Sequence, residues 1–119
     1  MLESHRYGEA MAKGGETFVL AVDADGILTG FCSYKADEIM GLYVAPTWAR
    51  RGVGSALLSA AEQAIAAAGH ARIRIDAALS GRPFYESHGY RLVVERTRKT
   101  RGGLEIATLD IEKRPAETI

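Results

Sequence analysis

Trp48-Ala49-Arg50-Arg51-Gly52-Val53-Gly54-Ser55 leads into the longest helical pattern of the chain. Val53, Ala56, Leu57, Ala60, Ala61, Ala64, Ile65 and Ala68 recur at three- and four-residue intervals, the spacing of one buried helix face. Gly69 follows as a C-cap. The first N–H groups of a helix lack intrahelical acceptors and lie at the positive end of its dipole. Gly52 and Gly54 have no Cβ, so the backbone there can come close to a ligand. The stretch therefore predicts an anion site at the helix start, with Arg50 and Arg51 adding charge. Two glycines can also do no more than shape a turn, so the flanking elements have to decide.

Upstream, Glu38 to Val44 reads as a strand with Pro46 just beyond it. Before that, Thr17 to Val22 and Ile27 to Tyr34 form a hairpin around Asp23-Ala24-Asp25-Gly26. Leu2 to Lys13 is expected to be a short helix, with Leu2, Tyr7, Ala10 and Met11 on one face and Gly14-Gly15 ending it. Downstream, Arg72 to Asp76 alternates as a short strand, and Pro83 to His88 reads as a short helix. Tyr90 to Thr100 and Leu104 to Glu112 are two strands joined around Gly102-Gly103. The order predicts a mixed α/β layer, antiparallel at first, with one strand–helix–strand unit in the middle. A P-loop is excluded because no Lys follows either glycine. A dinucleotide turn fits poorly: Leu57 stands where its third small residue belongs, and the Val44-to-Gly52 loop is too long. Asp76 lies at a tempting distance for the ribose-binding acid, but too little chain follows for the second half of that fold.

Three segments fit a third option. Ile39-Met40-Gly41-Leu42-Tyr43-Val44-Ala45-Pro46 resembles the central strand of the GNAT superfamily of N-acyltransferases. Arg51-Gly52-Val53-Gly54-Ser55-Ala56-Leu57-Leu58 resembles its pyrophosphate loop and following helix. Pro83-Phe84-Tyr85-Glu86-Ser87-His88-Gly89-Tyr90 resembles its late aromatic motif. The resemblance covers about Val19 to Lys113. It implies an α/β (mixed α+β) fold, a central, mostly antiparallel mixed sheet flanked by helices, in one domain over residues 1–119, here lacking the family's first strand.

The resemblance also implies the chemistry: an N-acetyltransferase that moves the acetyl group of acetyl-coenzyme A, its co-substrate, to a primary amine. Arg50, Arg51, Gly52, Val53, Gly54 and Ser55 are then expected at the pyrophosphate, and Leu42, Tyr43 and Val44 beside the pantetheine arm. Tyr85 takes the place of the general acid, since a phenol with a pKa of ~10 matches a departing thiolate. The alternative packs Phe84 and Tyr85 together as core aromatics. Glu38 is the candidate base, acting through water; the alternative is a solvated strand-end carboxylate. Ala49 stands where the family usually has Gln or Arg, and Ala78 where it usually has Asn. Both remove side-chain contacts to the cofactor and leave the backbone amides in place. With the short front, they keep open a second reading, a coenzyme A-binding module without activity. The missing strand leaves a sheet edge open, which suggests a homodimer and a third reading, a domain active only as a dimer or with a partner.

Composition narrows the rest. Fifteen basic and fifteen acidic residues cancel, so the chain has no global pull toward nucleic acid or an anionic membrane. One cysteine, Cys32, permits no internal disulfide and suits a reducing cytoplasm, the expected location. No apolar run is long enough for a bilayer, and Met1 to Arg6 lacks the apolar run of a signal peptide. No His, Cys, Asp or Glu cluster has ligand spacing, so no metal is expected. Cys32 reads as core and His88 as a helix-end residue. Arg96, Arg98, Lys99 and Arg101 read as the solvated face of a hairpin, or as a patch for an anionic acceptor. The acceptor, a small-molecule or peptide amine, is expected to meet Leu2 to Gly15 and the hairpin near Arg101.

Overall fold

The computed structural model describes residues 5–11 and 14–114. Seven strands form one sheet in the order β1-β2-β3-β4-β5-β7-β6. They are β1 (Arg6–Met11), β2 (Thr17–Val22), β3 (Leu28–Lys35), β4 (Glu38–Val44), β5 (Ile73–Ala78), β6 (Arg91–Lys99) and β7 (Glu105–Lys113). Helix α1 (Val53–Ala67) joins β4 to β5, and the six-residue α2 (Arg82–Ser87) follows β5. Only β4 and β5 run parallel; every other neighbouring pair is antiparallel. A parallel pair needs a crossover, and α1 supplies it.

The helix expected over Leu2 to Lys13 is a strand instead. Arg6 to Met11 pairs with β2 from Arg6↔Val22 to Met11↔Thr17; Leu2 to Ser4, Ala12 and Lys13 lie outside the described residues. Four scattered apolar positions give only a thin helical stripe. Against it stands the edge of β2, whose backbone groups gain partners when the chain turns back. Gly14 and Gly15, at φ +85° and +84°, make that reversal possible. The expectation of a missing first strand falls with the helix: β1 stands beside β2 at that edge. The open-edge argument for a homodimer goes with it.

Helix α1 lies across β2, β3 and β4. Val53, Leu57, Leu58, Ala61 and Ile65 are buried against Val19, Ala21, Cys32 and Ile39, and β5 and β7 extend this core with Ile73, Ile75, Ala77, Leu109 and Ile111. The helix sits close because Gly30 lies beneath it. A Cβ there would come within 2.6 Å of the Tyr43 carbonyl oxygen and 3.1 Å of Leu57 Cδ1. The other face of the sheet carries a row of aromatic rings, Phe18–Phe31–Tyr43, with centroids 5.5 and 5.8 Å apart. Among the described residues, no helix is long and apolar enough to cross a membrane.

Candidate active site

The site begins where β4 and β5 part. The two strands pair at only two positions, Glu38↔Arg74 and Ile39↔Ile75. On its other side β4 carries a bulge: Tyr34 faces Ile39 and Ser33 faces Gly41, so Met40 is an extra residue. Bulges bend their strand, and this one falls where β4 leaves β5. The closed end of the fork is fastened. Arg74 N–H donates to the Asp37 carbonyl at 2.9 Å, and the Arg74 guanidinium grips the Asp37 carboxylate at 2.9–3.1 Å. These hydrogen bonds hold the Asp37 carboxyl below the usual carboxylate range.

Beyond the fork, the chain enters α1 through two left-handed residues, Arg50 at φ +60° and Gly52 at φ +86°. The first is strained by about 1–2 kcal/mol, since it is not glycine. The helix's first rung is Ala56 N–H to Gly52 C=O at 3.0 Å. The N–H groups of Val53, Gly54 and Ser55 therefore have no intrahelical acceptor. Gly54 and Ser55 line a cavity of about 320 Å³ together with Leu42, Val44, Ala49, Arg50, Gly52 and Phe84. A Cβ on Gly54 would reach 3.4 Å from Val44 Cγ2 and 3.6 Å from Phe84 Cζ. A bare backbone at this point keeps the cradle open. The other expected cofactor residues turn their side chains elsewhere. Arg51 stacks on Trp48 at 5.2 Å, Val53 is in the core, and Tyr43 joins the aromatic row on the opposite face. Ala49, one of the two departures from the family motif, lines this cavity and offers it no polar group.

A second cavity, about 240 Å³, opens inside the fork. Its walls are Ile39 to Leu42 of β4, Ile75 to Ala78 of β5, and Ser80, Gly81 and Tyr85. It shares Leu42 with the first cavity, and consecutive residues of α2, Phe84 and Tyr85, line one cavity each. Gly81 makes room for the phenol ring, which a Cβ there would approach to 3.1 Å. Burial, helped by Cys32, raises the Tyr85 pKa above that of an ordinary phenol. The hydroxyl is thus protonated at neutral pH.

Glu38 lies elsewhere. It lines a third cavity of about 360 Å³ with Arg72, Arg74, Asp76, Arg96, Arg98 and Asp110 among its walls, and stands 3.7 Å from the Arg74 guanidinium. Glu38 and Tyr85 line no cavity in common; Ile75 and Asp76 line both of theirs. Asp76, weighed in the sequence only as a ribose-binding acid, is therefore at the junction. His88 is also more than a helix end. Its Nδ1 lies 2.8 Å from the Phe84 carbonyl, which can only accept, so Nδ1 carries the proton. Nε2 is hydrogen-bonded to the Ser55 hydroxyl at 2.9 Å, tying α2 to the first turn of α1. Cys32 is in the core, where burial and Glu62 push its thiol up to about 12. Of the hairpin cations, Arg96 and Arg98 line the charged cavity and Lys99 and Arg101 do not.

This architecture has known relatives. The family model for the GNAT acetyltransferase domain matches residues 1–110. The uncharacterized N-acetyltransferase YafP of Escherichia coli (strain K12) is 30% identical over 101 residues, covering 85% of this chain and 62% of YafP. A GCN5-related N-acetyltransferase from Rhodopseudomonas palustris is 30% identical with a TM-score of 0.78, over 84% of this chain and 62% of that one. The PaiA N-acetyltransferase of Thermoplasma acidophilum, solved with coenzyme A, is 26% identical with a TM-score of 0.65, over 84% and 61%. The chain belongs to the GNAT acetyltransferase family. It spans somewhat under two thirds of the length of these relatives.

Proposed function

We propose that this domain transfers the acetyl group of acetyl-coenzyme A to a primary amine, by direct attack inside the β4–β5 fork. One observation carries the reading. The cavity at the start of α1 and the fork cavity meet at a common wall residue, Leu42, and α2 places Phe84 on the first and Tyr85 on the second. The N–H groups of Val53, Gly54 and Ser55, with Arg50, take the diphosphate through charge-assisted hydrogen bonds. Leu42 and Val44 line the path of the pantetheine arm, with the backbone at Tyr43 beside it. The co-substrate supplies an acyl group already activated as a thioester. The amine nitrogen forms the new C–N bond as the C–S bond breaks. Tyr85 gives its proton to the departing sulfur, and the proton lost by the amine passes through water to Glu38. Water is needed because Glu38 lies outside the cavity of Tyr85.

A coenzyme A-binding module without activity is the second reading, favoured by Ala49 and Ala78, which line the two cavities without polar groups. Free-thiol release from acetyl-coenzyme A with a panel of amines separates the two. Amine-dependent release is expected; binding of coenzyme A with no release above solvent hydrolysis selects the second.

A further inference from the structure

We infer that the acceptor is a dipolar amine, one carrying an anionic carboxylate or phosphate as well as its ammonium, and that it enters through the charged cavity on the face opposite α1. The inference rests on the acetyl-transfer reading and names its substrate class. The cavity of about 360 Å³ shares Ile75 and Asp76 with the fork cavity that holds Tyr85. It borders the fork cavity along β5, on a side away from Leu42, the residue that the fork cavity shares with the cavity at the start of α1.

The charges in its walls are arranged, not merely mixed. Asp76 of β5 and Asp110 of β7 stand directly opposite each other in register. Like charges in such a pair repel. Each is held by an arginine from β6: Arg98 pairs with Asp76 and Arg96 with Asp110. Both arginines are about 60% exposed. Exposed ion pairs of this kind are weak and screened by solvent, so a ligand can exchange them at little cost. An ammonium seated between Asp76 and Asp110 relieves their repulsion and releases the two guanidiniums. Those then need an anion, and their planar donors match a carboxylate or a phosphate. Glu38, Asp76, Asp110 and Glu112 are balanced by Arg72, Arg74, Arg96 and Arg98 among the lining residues. A cavity with no net charge favours neither a simple cation nor a simple anion. It favours a dipole whose ammonium end lies at Asp76, the wall shared with the fork.

The test is calorimetric titration of matched pairs into the protein saturated with coenzyme A: 6-aminohexanoate against hexylamine, and O-phosphoethanolamine against ethanolamine. The dipolar member of at least one pair is expected to bind at least tenfold tighter, and the pair that shows the preference identifies the anion. Arg98→Gln should erase most of that preference, the simple amine binding at least as tightly as before because Asp76 loses its competing guanidinium; Asp76→Asn should weaken both members. Equal binding within both pairs, tighter binding of the simple amines, or a preference indifferent to Arg98→Gln overturns the inference. So does binding of coenzyme A with no measurable binding of any of these amines, while the acetyl-transfer reading stands. Failure to bind coenzyme A at all overturns that reading and the inference with it.

Discussion

At its closed end the β4–β5 pair is tied three ways: by two register pairs, by the backbone bond from Arg74 to Asp37, and by the guanidinium clamp between the same residues. A few residues further on, the same strands no longer pair. Gly41 to Val44 and Ala77 to Ala78 diverge past the Met40 bulge, and the space is a cavity walled by Tyr85. Opening a sheet leaves backbone donors and acceptors without partners, which is unfavourable unless water or a ligand serves them. On the function proposed above, one end holds the fold and the other holds an extended ligand. Changes at the open end should then remove binding or rate and spare stability, and changes at the closed end should do the reverse.

The largest effect is expected at the mouth of the open end. Gly54→Ala places a Cβ at ordinary contact with Val44 and Phe84, but Gly54→Val adds two methyl groups to the cradle that the diphosphate must enter. Losing two charge-assisted hydrogen bonds, at about 1.5 kcal/mol or more each, weakens coenzyme A binding by about a hundredfold or more. Calorimetry should show this in a protein that melts near the parent temperature; unchanged affinity would remove the start of α1 from the binding site. Next is Tyr85→Phe. General acid catalysis is typically worth ~10²–10⁴ in rate, and water can partly replace it, so kcat should fall at least tenfold. The ring is kept, so its contacts with Phe84 and Tyr90 survive and the melting temperature should hardly move. Full activity with the chemical step rate-limiting would leave Tyr85 as a packing residue.

What the sequence made legible follows the range of the interactions. The three-four spacing from Val53 marks α1 to within one residue of its end, and runs of strand-forming residues mark β2 and β4 at their observed bounds. Both signals are local. The first strand was misread because its pairing is decided by the edge of β2, outside its own residues. The fork itself was not legible: it depends on the Met40 bulge, a fact about register between β3 and β4 that Ile39-Met40-Gly41 does not announce. Nor was the meeting of Asp76 and Asp110, which exists because β7 inserts between β5 and β6. The Ser55–His88 bond joins residues 33 apart, and no spacing rule connects them. Motif resemblance did bring Leu42, Val44, Arg50, Gly52, Gly54 and Ser55 together, because a ligand-binding loop is a local object read in order. The directions of the Arg51 and Tyr43 side chains, which lie against Trp48 and Phe31, are not given by the motif.

The smallest expected effect belongs to the closed end, and it depends on pH. Asp37→Asn removes the carboxylate that Arg74 grips while keeping its shape and its backbone carbonyl. Arg74 is about half exposed, so the clamp is screened and worth about 0.5–1 kcal/mol, the upper range for a surface pair, because its geometry is bidentate. The fold lowers the Asp37 pKa, chiefly through the hydrogen bonds from Arg74. A lowered carboxylate stabilises the folded state fully above its unfolded value of about 3.9, and that contribution disappears as pH falls through the lower folded value. The variant should therefore be slightly less stable than the parent at pH 7, and the difference should shrink toward zero as the pH falls through and beyond the ordinary carboxylate range. Urea melts at several pH values measure it. A difference that stays constant across this range would mean that shape, not charge, closes the fork. Coenzyme A affinity at pH 7 is the companion measurement. It should be unchanged in Asp37→Asn, because the clamp lies at the end of β4 away from the start of α1. A drop in affinity as large as that of Gly54→Val would break the division between the two ends and make the width of the fork depend on how firmly its base is tied.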